Sequence, residues 1–223
     1  MIIQIYTAQS PEEALALVNA GVDQVGLTPP HGGLPGEISL AAMREIVDAV
    51  GERARCVALT VETDLMVIAE MVRVVQPAIL HLCPLAEAIT PMDVKALRAL
   101  LPGVPIMQAV SVTGPESVAE ARAYANVADY LILDTQAPGI PGIGASGVTH
   151  DWAVSRAIVD AVRIPVILAG GLTPENVADA VRAVRPWGVD SLTHTNQPLP
   201  GGGFCKDLAK VRAFAAAARA ALP

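Results

Sequence analysis

Short apolar runs alternate with helix-patterned segments about eight times along this chain of 223 residues, and no other feature restricts its fold as strongly. The clearest unit is residues 163–190, RIPVILAGGLTPENVADAVRAVRPWGVD. Residues 166–169 carry no polar side chain, as a parallel strand covered on both faces requires. Gly170 and Gly171 end the run, Thr173 stands at a helix N-cap, and Pro174 follows at the first helical position. Asn176 occupies the place that Glu or Gln takes in a capping box. Val177, Ala180, Val181 and Val184 then recur at intervals of three and four, which gives a helix over 174–184 an apolar face for a sheet. A glycine turn before a helix is a plain connector or, because its N–H groups are unpaired, an anion site.

The same reading places strands at 2–6, 24–27, 56–60, 78–82, 105–110, 130–134 and 189–192. Helices are expected at 10–18, 39–50, 63–76, 91–100, 115–125, 151–162 and 207–221. With the unit at 163–190 this is the pattern of a (β/α)8 TIM barrel, read as a single domain over 1–223. A doubly wound open sheet would carry GxGxxG after the first strand, where this chain has YTAQSPEE. Aromatic residues are only 3% and apolar residues 52%, so Val, Leu, Ile and Ala must fill the core. A net charge of −7 argues against binding nucleic acid through a basic face. Cys56, Cys83 and Cys205 have neither the even count of a disulfide framework nor CxxC spacing. The opening MIIQIY lacks a leader pattern and no run approaches a membrane span, so a cytoplasmic location is expected.

In such barrels chemistry gathers where strands end and βα loops begin. That rule selects Tyr6, Thr28, His31, Thr60, Glu62, His81, Cys83, Gln108, Asp134, Gly170, Gly171, His194 and Asn196. Asp134 closes the apolar run LIL, where partial burial would raise a carboxyl toward general-acid use; capping the next loop is its simpler role. His81 and Cys83 lie two residues apart and share one side of a strand, facing the mouth or buried as core. Tyr6 and Gln108 are polar interruptions of apolar strands, while His31 and His194 sit in loops where histidines are commonly solvated. The proline- and glycine-rich loop at 28–37 is a candidate substrate loop, and a second glycine-rich loop at 136–147 precedes the sixth helix. Neither HxH nor HExxH spacing occurs, so no metal is expected.

Four stretches, LILDTQAPG at 131–139, GASGVTHDW at 144–152, 165–190 and KDLAKVRAF at 206–214, resemble the phosphoribosylanthranilate isomerase family. The resemblance implies the barrel, no cofactor, and an Amadori rearrangement of an aminated ribose phosphate. A general acid opens the furanose ring and a base moves the C2 proton. Asp134 matches the family's acid. The family's basic cysteine, in KICG, is replaced where this chain reads Gln4, Ile5, Tyr6, Thr7. The arginine that holds the anthranilate carboxylate has no counterpart in PPHGGLPGE, where His31 is the nearest substitute. Of the phosphate cradle, Gly144, Ser146, Gly147, Gly170 and Gly171 remain, and Thr193 and His194 replace part of SSGVE.

The expectation is therefore an acid–base isomerase of another small sugar phosphate or related metabolite, with Asp134 as acid and a base among Tyr6, His81 and Cys83. The alternatives are the family's own reaction in tryptophan biosynthesis with an altered site, and a non-catalytic small-molecule binder. The expected partner is a small molecule, phosphorylated or not, with no nucleic acid, membrane or protein partner indicated.

Overall fold

A computed structural model describes residues 1–31, 33–85, 87–136, 139 and 142–221. Parts of the candidate substrate loop, at 32, and of the second glycine-rich loop, at 137–138 and 140–141, lie outside the described residues.

Eight parallel strands close into a barrel: β1 (Ile2–Ile5), β2 (Gln24–Leu27), β3 (Arg55–Thr60), β4 (Ile79–Leu82), β5 (Ile106–Ser111), β6 (Tyr130–Asp134), β7 (Val166–Leu168) and β8 (Gly188–Ser191). Closure is direct, with Ile2 to Ile5 of β1 registered on Gly188 to Ser191 of β8. Outside run α1 (Pro11–Asn19), α2 (Leu40–Val50), α3 (Leu65–Val75), α4 (Pro91–Leu100), α5 (Ser117–Ala125), α6 (Trp152–Ala161), α7 (Val177–Val184) and α8 (Leu208–Ala220). Alternate residues of each strand divide between two cores, because successive side chains point to opposite faces. Ile3, Ile5, Leu131, Leu133, Leu168 and Val189 pack outward against the helices. Val57, Leu59, Ile79, Met107, Ile132 and Ile167 fill the lumen.

Polar caps fix where most helices begin. Ser10, Ser39, Asp64, Thr90, Asp151 and Asp207 each accept from backbone N–H groups of the first turn, supplying partners that the helix itself cannot. The eighth strand begins one residue earlier than the apolar pattern suggests and ends at Ser191.

Two local differences from the sequence reading have clear causes. Helix α7 starts at Val177 rather than 174, because residues 173–176 form a closed turn. Thr173 Oγ1 accepts from the Glu175 and Asn176 N–H groups, and Asn176 Oδ1 accepts from the Thr173 N–H at 2.8 Å. Asn thus performs the reciprocal half of a capping box, one turn ahead of the helix. The second difference is an antiparallel hairpin, β9 (Asn196–Pro198) and β10 (Phe204–Lys206), inserted before α8. Its turn runs through Gly201, Gly202 and Gly203, all at positive φ, a region that glycine enters without steric cost.

Candidate active site

The strands' inward residues meet at the C-terminal mouth, where a cleft encloses about 720 Å³ of non-atom space including its open face. Tyr6, His81, Cys83, Asp134, Gly144, Gly147, Gly170, Gly171, Thr193 and His194 line it, together with Asp190.

Tyr6 follows β1 and its ring crosses the mouth. A Cβ on Gly26 of β2 would come within 2.1 to 2.3 Å of three ring carbons, so the ring lies directly on bare backbone. The hydroxyl reaches β4 and pairs with His81 Nδ1 at 2.9 Å. Burial, then the charges of Asp190 and Cys83, push this phenol well above its ordinary value, so it keeps its proton. Burial pushes His81 down to about 3 and leaves a neutral ring whose Nε2 is buried with no partner among the described residues. Cys83 donates through Sγ to the Thr60 carbonyl at 3.4 Å. Burial, aided by the Asp134 charge, pushes its thiol up to about 12.

Asp134 ends β6. Its Oδ1 accepts the Thr135 N–H at 2.7 Å, and Oδ2 lies where a Cβ on Gly144 would be 2.6 Å away, so only glycine lets the following loop fold over the carboxyl. Burial raises Asp134 to about 7 despite the Thr135 bond, which opposes the shift. Asp190, 7% exposed, projects from β8 and accepts from Gln4 Nε2 at 3.1 Å. Burial and the Asp134 charge raise it to about 8, against the opposing pull of Gln4 and Lys206.

Behind these groups lies Lys206 of β10. Its Nζ donates to the Tyr6 and Leu192 carbonyls and to Asn196 Oδ1, joining the ends of β1 and β8 to the hairpin. Burial lowers it to about 7, while Glu13 and Asp190 pull the other way.

Between the two carboxyls, at the end of β7, the Gly170 and Gly171 amides donate no hydrogen bond among the described residues. The loop after β6 presses against them: a Cβ on Gly171 would stand 2.7 Å from the Thr149 nitrogen, and one on Gly170 2.9 Å from His150 Nδ1. His150 is held between Thr135 Oγ1 at 3.1 Å and Ser155 Oγ at 2.8 Å, and burial lowers it to about 4. His194 Nε2 lies 3.1 Å from the Gly147 carbonyl, which ties the turn after β8 to the same loop.

Three sequence candidates stand elsewhere. Gln108 lies on the outer face of β5, between the flanking outward residues Ile106 and Val110, and donates to the Ala109 carbonyl at 2.9 Å. The strand's alternation turns it away from the cleft. Ser146 is spent on the Val148 N–H at 3.3 Å. His31 pairs with Glu62 at 3.4 Å beside a second, apolar cavity formed with α3.

Asp190, Lys206, His150 and Gly26 were not singled out from sequence. Asp190 interrupts an apolar run as Asp134 does, but taking the strand to residue 192 moved its expected end past the aspartate. Among the described residues no cluster of three His, Cys, Asp or Glu could hold a metal, and no helix is long and apolar enough to cross a membrane.

A closed (β/α)8 barrel with two raised carboxyls flanking a glycine turn at its mouth defines an acid–base barrel enzyme. Residues 3–216 match the family model for N-(5'phosphoribosyl)anthranilate (PRA) isomerase, and the chain belongs to this isomerase family. The N-(5'-phosphoribosyl)anthranilate isomerase of Haloferax volcanii is 39% identical over 212 residues, 94% of this chain and 90% of that one. The crystal structure of the Thermotoga maritima phosphoribosyl anthranilate isomerase superimposes with a TM-score of 0.80 at 26% identity, covering 99% of this chain and 100% of that one. A further phosphoribosyl anthranilate isomerase, solved in complex with reduced 1-(o-carboxyphenylamino)-1-deoxyribulose 5-phosphate, gives a TM-score of 0.78 at 24% identity, covering 99% and 100%.

Proposed function

We propose that this protein is a phosphoribosylanthranilate isomerase of tryptophan biosynthesis, acting on N-(5'-phosphoribosyl)anthranilate itself. The expectation of a different sugar phosphate arose from the missing thiol and arginine. A relative of the same name that aligns along nearly the whole of both chains supports the family's own substrate instead.

The observation that carries the reading is that Asp134 and the glycine turn at Gly170 and Gly171 line one cleft side by side, from the ends of neighbouring strands. A carboxyl raised to about 7 holds its proton near neutral pH and can give it to a ring oxygen as the C1–O bond breaks. The lone pair of the anthranilate nitrogen then forms the C1=N bond. Free amides at a glycine turn, backed by Gly147, Thr193 and His194, suit a terminal phosphate. Anchoring the phosphate there directs the sugar ring toward the carboxyls.

Two experiments test this. The gene should restore growth without tryptophan to a strain lacking the isomerase, and the purified protein should convert the substrate. Asp134→Asn should lower kcat by about 10²- to 10⁴-fold, the usual contribution of a general acid. A folded wild-type protein that leaves the substrate unchanged defeats the proposal.

A further inference from the structure

We infer that Asp190 is the general base of this site, one of two carboxyls on the same wall of the cleft that hold a single proton between them, with Asp134 as its partner. The inference rests on the isomerase reading above.

The other candidates for the base are already committed. The Tyr6 hydroxyl is paired with His81 Nδ1, and its ring is held on Gly26. A phenol that retains its proton accepts none at neutral pH. The Cys83 thiol donates to the Thr60 carbonyl. His81 binds a proton only far below neutrality. Lys206 lies outside the cleft wall, with its Nζ donating to two carbonyls and Asn196.

Asp190 differs in having a free oxygen. Gln4 holds Oδ1, whereas Oδ2 takes no hydrogen bond among the described residues, and the side chain lines the cleft. The register sets its relation to Asp134. Leu133 pairs with Leu168, and Leu168 with Val189, so the next residues, Asp134, Ala169 and Asp190, stand at one level. The two aspartates are thus two strands apart, roughly 10 Å along the wall at the usual strand spacing. Only the methyl group of Ala169 stands between them, leaving both carboxyls free to converge on one sugar ring.

Their electrostatics agree with this placement. Charges on both would repel in a buried site, so the first proton lost leaves one carboxyl and one carboxylate. Those are the two forms that an acid–base isomerisation needs. The groups facing Asp190 are Asp134 from β6, Tyr6 following β1, and Lys206 from β10, whose charge offsets the carboxylate. Without a ligand Asp190, at about 8, holds the proton more firmly than Asp134, at about 7; a ring oxygen accepting from Asp134 draws the proton to that side and leaves Asp190 as the carboxylate.

The chemistry balances without a co-reactant. Asp134 gives its proton to the ring oxygen, the C1–O bond breaks, and the nitrogen lone pair forms C1=N. Asp190 takes the C2 proton; the C–H electrons form C1=C2, and the C=N pair returns to nitrogen. Asp190 then returns a proton to C1 while the C2 hydroxyl gives one to Asp134, yielding the ketone. Both carboxyls end as they began.

The test compares Asp190→Asn, Asp190→Glu and Tyr6→Phe, with thermal melting and binding of the reduced product analogue as folding controls. Asp190→Asn should lower kcat about 10³-fold with KM within about threefold. Asp190→Glu should recover part of the loss, and Tyr6→Phe should cost tenfold or less. Equal losses in Tyr6→Phe and Asp190→Asn, or an Asp190→Asn enzyme within tenfold of wild type, overturn the assignment. A ¹³C-carboxyl titration of ligand-free protein provides an arm independent of substrate. Wild type should show two aspartates titrating far above the ordinary range, and the Asp134 midpoint should fall in Asp190→Asn; an unmoved midpoint refutes the shared proton. Coupled titration in a protein that does not turn over the substrate supports the pair and defeats the isomerase reading alone.

Discussion

Replacing Gly26 by alanine tests whether the Tyr6 ring forms the floor of the cleft. The new Cβ would sit 2.1 to 2.3 Å from Cδ1, Cγ and Cε1 of Tyr6. The ring is wedged between β2 and His81, so it cannot yield without releasing the hydroxyl from His81 Nδ1. Overpacking in a close-packed core costs about 1 to 3 kcal/mol. A buried polar group left without its partner costs about 1 to 3 kcal/mol more. Partial relaxation makes the two overlap, so the expected loss is about 3 kcal/mol, or roughly 6 to 12 °C in Tm for a chain of this size. Denaturant unfolding measures it, and a double-mutant cycle identifies its source. With Tyr6→Ala the space is empty, and adding Gly26→Ala should then cost under about 0.5 kcal/mol, leaving a coupling of about 2 kcal/mol or more. Equal cost in both backgrounds would refute the ring as the cause.

The carboxyls and the buried lysine give pH signatures. Asp134 is raised in the folded state, so between about pH 4 and 7 the native protein holds a proton that the unfolded chain has lost, and stability falls as pH rises through that window. Asp134→Asn removes this penalty, so the variant should match wild type near pH 4 and melt several degrees above it at pH 8; a variant less stable at pH 8 contradicts the cause given. Lys206 is shifted to about 7, below its unfolded value, so its charged burial costs most below pH 7 and is relieved as pH rises from about 7 toward 10.5. Lys206→Met nevertheless leaves the Tyr6 carbonyl and Asn196 Oδ1 without this donor, and should destabilise at pH 8 by about 2 kcal/mol in chemical denaturation, with faster proteolysis between residues 196 and 206. An unchanged cleavage rate would show that the lysine does not hold the hairpin.

The strand–helix alternation and the acidic end of β6 were legible in the sequence, because period is set by neighbours along the chain. Gln108 was misleading for the opposite reason: a polar residue in an apolar strand reads the same on either face, and the one-residue phase that turns it outward is fixed by the inward packing of Met107 and Ala109. The hairpin before α8 was hidden because its strands are short and one carries a proline.

For this protein, then, sequence determined the barrel and the family, since both rest on local pattern repeated along the chain. Tertiary structure alone decided how the site is assembled. It laid Tyr6 on Gly26 and against His81, 75 residues away, and set Lys206 behind the strand it supports, 200 residues from Tyr6. It also set Asp134 and Asp190 at one level of one wall. The raised carboxyls that suit the site to its chemistry come from burial and, at Asp190, from the Asp134 charge, and these exist only once β6, β7 and β8 have closed around them.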